Sequence, residues 1–115
     1  FLVNGATVKF QIDVSGNTTA AGSSTATGFF VSSARAMKKN IKPISFDALA
    51  AIKKAEIVEY VYRKGNGEKK LGFIADDVPD ELSPTHDSFD TTRVLSAALR
   101  AIQQLEARIV ELENA

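Results

Sequence analysis

The chain has 115 residues, 44% hydrophobic and 24% charged, with 14 basic residues against 14 acidic ones. A formal net charge of zero gives no whole-chain electrostatic footprint for nucleic acid or membrane, so neither is expected as a partner. The absence of cysteine removes disulfides and cysteine-type zinc sites, and a single histidine gives a histidine-based triad little to work with.

At this length the chain is one domain, or one domain plus an appended segment, with a modest core. Phe1-Leu2-Val3 lacks the basic flank and apolar stretch of a signal peptide, and the abrupt start reads as that of a fragment. No apolar run approaches the roughly 18 residues of a membrane span. From Thr7 to Val14, Val8, Phe10, Ile12 and Val14 alternate with Lys9, Gln11 and Asp13, the period of a half-buried strand. Ser15-Gly16-Asn17 then reads as a turn. Thr18 to Thr27 holds only threonine, alanine, glycine and serine, the composition of a linker or of extended backbone packed against copies of itself in an oligomeric stalk. Its β-branched threonines between strand patterns favour the stalk.

Phe29, Phe30 and Val31 restore apolar bulk before Ser33-Ala34-Arg35-Ala36-Met37-Lys38-Lys39-Asn40-Ile41. A serine hydroxyl is a weak nucleophile near neutral pH, and a lysine amine left neutral by desolvation can take its proton where histidine is lacking. Read by themselves, Ser33 and Lys38 are otherwise a turn serine and a solvated lysine. Asn40 is read as a loop-holding residue, an amide that helps stabilise an oxyanion, or an ordinary turn asparagine.

Pro43 discourages helix at Lys42, and Ser45 offers an N-cap for a helix from Phe46 to Ala55. Glu56 to Arg63 returns to alternation, with Val58, Tyr60 and Tyr62 expected toward the core. Gly65-Asn66-Gly67 makes a turn, and Lys69 to Ile74 is the partner strand of a hairpin. The turn reading also displaces phosphate binding by Gly65, Gly67, Lys69 and Lys70, since the full phosphate-loop pattern is missing. Phe73, with Leu71 or Ile74, is expected in the core. Asp76, Asp77 and Asp80 lack calcium-loop spacing and read as surface or capping groups, and His86 reads as an exposed loop residue. No metal or cofactor is expected.

The last element starts at an N-cap at Asp87 or Asp90 and runs to about residue 113. Leu95, Ala98, Ile102, Leu105, Ile109 and Leu112 recur at alternating spacings of 3 and 4, a heptad seam. Just under three heptads is short for an independent coiled coil, so the helix needs the preceding domain or an assembled oligomer. Seam composition leaves the number of strands open.

The nonapeptide resembles the autoprocessing signature of the intramolecular chaperone domain at the C-terminal end of phage tailspikes, tail fibres and endosialidases, also found in the myelin regulatory factor family. That pattern reads Ser-Asp-x-Arg-x-Lys-x-Asn-Ile. Ser33, Lys38, Asn40 and Ile41 fall in register with it, whereas Ala34 and Ala36 stand where an acidic residue or serine, and arginine, are usual. Gly72-Phe73-Ile74-Ala75-Asp76-Asp77-Val78 is similar to a second block of the family, and a closing heptad helix follows in both.

The resemblance implies an α+β chain, with the end of a β-rich stalk at 1–32 and the chaperone domain at 33–115. The small mixed body would carry a hairpin, and the long C-terminal helix would form a homotrimeric coiled coil through Leu95, Ala98, Ile102, Leu105, Ile109 and Leu112. It further implies a Ser-Lys peptidase acting once on its own chain. Ser33 would be nucleophile and Lys38 general base, with Asn40 in support, cutting at Ser32–Ser33 after three chains are registered for folding of the upstream stalk. The two alanines imply a form that cuts slowly or not at all. Assembly would take place in the host cytoplasm, with the parent protein on the virion tail. The competing reading is a structural trimeric fibre tip or adhesin cap that never cleaves.

Overall fold

The computed structural model describes residues 9–115, in two compact units that meet between Lys42 and Pro43. In the first, β1 (Phe10–Ile12) pairs antiparallel with β2 (Thr18–Ala20), Phe10 opposite Ala20 and Ile12 opposite Thr18. Asp13 organises the turn. Its Oδ1 accepts the backbone N–H groups of Ser15 and Asn17, each at 2.9 Å, and its Oδ2 accepts from the Asn17 amide at 3.0 Å. Gly16, at φ +86°, supplies the left-handed conformation a side chain would resist. These bonds keep Asp13 ionised, its pKa lowered chiefly by Asn17, and they end β1 short of the expected Val14. The rest of that strand reading, Thr7 and Val8, lies outside the described residues.

The second unit opens with α1 (Ala48–Lys53), shorter than the Phe46–Ala55 helix expected. Asp47, not Ser45, is the N-cap, accepting the Ala50 N–H at 3.1 Å. A carboxylate can satisfy one of the orphan N–H groups of a first turn, which places the start two residues later. β3 (Val58–Tyr60) and β4 (Lys70–Gly72) form the expected antiparallel hairpin, Val58 opposite Gly72. Gly67 lies at φ +78° in its turn, where Asn66 Oδ1 accepts the Glu68 N–H. Val58 and Tyr60 are half-buried as anticipated, but Tyr62 lies beyond the paired segment and is 62% exposed. Leu71 is likewise exposed, whereas Phe73 packs on the core.

The closing helix α2 (Thr91–Glu113) carries Asp90 as its N-cap, bonded to the Thr92 N–H at 2.9 Å. Ala97 and Ala101 are buried on it, and α1 contributes Ala48, Leu49 and Ala51 to the same two core clusters. Val78 and Leu82 complete the buried apolar set among the described residues. Four of these seven side chains are alanines, which lets the two helices approach closely but removes little apolar area from water. The body is therefore thinly stabilised by its own core.

A second interaction fixes the helix pair. Gln104 on α2 accepts the Leu49 N–H through Oε1 at 2.9 Å and donates through Nε2 to Asp47 Oδ1 at 3.0 Å. The amide thus serves both an orphan donor and the cap of α1.

Candidate functional site

Between Ser33 and Lys38 the backbone makes a 3₁₀ turn over Arg35–Met37. The Met37 N–H donates to Ala34 O and the Lys38 N–H to Arg35 O, both at 3.0 Å. Three residues per turn bring position 38 back above the start of the segment, and Lys38 Nζ donates to Ser33 Oγ at 2.6 Å. The pair singled out by residue type is thus in direct contact.

Ser32, Ser33, Lys38 and Asn40 are all exposed in the single chain. Asn40 lies at φ +56°, a left-handed conformation that asparagine accepts more readily than most residues. It redirects the chain directly after Lys38-Lys39, so its backbone role is evident; no hydrogen bond joins its side chain to Ser33 among the described residues. Phe29, Phe30, Val31, Met37 and Ile41 flank the pair with exposed apolar side chains.

On α2 the seam residues Leu95, Ile102, Leu105, Ile109 and Leu112 are all exposed, while Ala98 is partly covered. The helix therefore presents two distinct stripes. Ala97, Ala101 and Gln104 engage α1, and the heptad seam lies open beside them. Sequence reasoning found only the seam. The spacing of Ala97, Ala101 and Gln104 follows the same alternation of 4 and 3, one step along the chain, and would have revealed the second stripe.

His86 was also missed. It is partly buried rather than free, at φ +60°, with Nδ1 at 2.9 Å from Ala75 O and Nε2 at 2.6 Å from Asp80 Oδ1. Carbonyl and carboxylate oxygens only accept, so satisfying both requires the doubly protonated ring. The Asp80 hydrogen bond, then that to Ala75, raises the His86 pKa. Buried Ser83 completes the loop, donating to Ser88 O at 2.6 Å and accepting the His86 N–H at 3.1 Å. Asp76 and Asp77 sit in the first turn of a 3₁₀ segment, and no metal-binding group of three or more side chains occurs among the described residues. Nor is any described helix long and apolar enough to cross a membrane.

The serine–lysine contact lies on an exposed turn of the first unit, and the second unit is a small α+β body whose closing helix carries an exposed apolar seam. Residues 33–86 match the model of the family described as the chaperone of endosialidase, and this segment is a domain of that family. The match begins at Ser33 and ends at His86, and it assigns the segment a chaperone role. No curated protein and no solved structure matches the chain.

Proposed function

We propose that this chain is a self-cleaving trimerisation chaperone, which registers three copies for folding of an upstream tailspike or tail-fibre stalk and separates from it at Ser32–Ser33. The observation that carries the reading is the 2.6 Å contact between Lys38 Nζ and Ser33 Oγ across the 3₁₀ turn. In the proposed reaction neutral Lys38 removes the Ser33 hydroxyl proton as Oγ attacks the Ser32 carbonyl carbon. The C–N bond to Ser33 breaks, its nitrogen takes the proton, and an ester joins Ser32 to Ser33 Oγ. Water then hydrolyses that ester, leaving a Ser32 carboxylate and restoring the hydroxyl. Asn40 holds the turn through its left-handed backbone.

The open seam supports the oligomeric half of the proposal. Intertwined stalk strands pay loop-closure entropy before their non-local contacts form, and joining three C-terminal helices first raises their local concentration. Removal of the template after folding leaves the stalk kinetically trapped. In this account residues 1–32 are the end of the stalk and 33–115 the chaperone; assembly occurs in the host cytoplasm and the mature parent sits on the virion tail.

Intact mass of an N-terminally extended precursor tests the reading. A cut at Ser32–Ser33 that both Ser33→Ala and Lys38→Ala abolish is expected, faster when Ala34→Asp or Ala36→Arg restores the family's polar residue. Full-length mass in every form would instead leave a structural fibre tip.

A further inference from the structure

The Pro43–Ala115 unit carries an open cleft of about 440 Å³ with no part in the proposed cleavage. Four aromatic rings, Tyr60, Tyr62, Phe73 and Phe89, line it together with Asp76 and Asp87. Tyr60 and Tyr62 meet edge to face with centroids 5.3 Å apart, and Phe73 and Phe89 lie 4.5 Å apart at 46°. Tyr62 and Phe89 present much of their surface to solvent. No lysine, arginine or histidine is among the lining residues.

The two carboxylates have unused capacity. Asp87 receives the Thr85 and Ser88 hydroxyls on Oδ1, at 2.7 and 3.2 Å, and its Oδ2 has no hydrogen-bond partner among the described residues. Those hydroxyls lower its pKa, so the group stays charged. The Asp76 side chain makes no hydrogen bond among the described residues either, and the neighbouring His86 is already paired with Asp80. Negative charge beside aromatic faces is complementary to a cation, which the ring quadrupoles attract as well.

We propose that this cleft receives an arginine side chain presented by a partner polypeptide. Guanidinium suits the site better than ammonium because its plane stacks on aromatic rings while its N–H fork reaches carboxylate oxygens. An uncharged guest such as a sugar would stack on the rings but leave the Asp87 carboxylate without a cation.

The test is a titration of the full chain with acetyl-Ala-Arg-Ala-amide, followed by amide NMR shifts. The citrulline analogue, an uncharged near-isostere, and a methyl glucoside serve as comparison probes. Saturable shifts at Phe73, Asp76, Ser88 and Phe89 are expected, with the arginine peptide bound about tenfold more tightly than the citrulline one, equivalent to about 1.4 kcal/mol. Added salt and Asp87→Asn should each erode that preference. Should Asp87→Asn disturb the turn, seen as lost spectral dispersion, Asp76→Asn provides the same comparison. Equal affinity for arginine and citrulline peptides, shifts mapping elsewhere, absence of saturable binding, or tighter binding of the glucoside would each overturn the assignment.

Discussion

Replacing Ile102 with alanine separates the folding of one chain from the assembly of several. Ile102 lies on the seam and is 62% exposed in the single chain, whereas its neighbour Ala101 is buried against α1. Full burial of an isoleucine side chain is worth about 1.5–3 kcal/mol. The exposed share therefore corresponds to about 1–2 kcal/mol per chain, or about 3–6 kcal/mol for a trimer using the same position three times. Ile102→Ala should forfeit most of that, weakening the trimer by about two to four orders of magnitude in its dissociation constant. Helix content of the dissociated chain should hold, because alanine is the better helix former and the α1 contact is untouched. Sedimentation equilibrium over a concentration series measures the constant, with Gln103→Ala as an off-seam control. Equal constants for the two variants, or a parent chain that stays monomeric at every concentration, would refute the reasoning.

Other expectations follow from the same geometry. Gln104→Ala should destabilise the chain by about 1–2 kcal/mol in urea unfolding through the unsatisfied, part-buried Leu49 N–H alone, while Gln103→Ala changes it by less than about 0.5 kcal/mol. His86, the sole histidine, has a folded pKa raised above the ordinary 6.5. Its stabilising contribution is therefore complete below that value and lost as pH rises through the raised one; NMR titration should show this, and Asp80→Asn should move the midpoint down. Asn40→Gly should preserve whatever cleavage rate the precursor has, and Asn40→Val, strained at φ +56°, should depress it in a timed mass assay.

What could be read from the sequence was set by how local the governing interactions are. The hairpin between Val58 and Gly72, both glycine turns and the span of α2 depend on neighbours in the chain, and turn residues and periodicity expose them. Ser33 and Lys38 were marked by their match to a family pattern, whereas the 3₁₀ turn that joins their side chains had no turn residue or periodicity to announce it. The start of α1 was misplaced because Ser45 was read as the cap, whereas Asp47, two residues on, is the one used, and Gln104, 57 residues beyond Asp47, takes part in it. The bonding of His86 to Ala75 and Asp80 likewise depends on a loop conformation that no periodicity announces. Tyr62 and Leu71 looked like core residues because alternation gives a face but not what covers it.

The most direct measurement is the intact mass of freshly expressed, N-terminally extended precursor, as the present sequence and with Ala34→Asp or Ala36→Arg, each with and without Ser33→Ala and Lys38→Ala. The account predicts a fragment ending at Ser32 and another beginning at Ser33, most abundant with the polar residue restored and absent from every Ser33→Ala and Lys38→Ala form. Uncut precursor throughout, or cleavage that persists without the Ser33 hydroxyl, would contradict it.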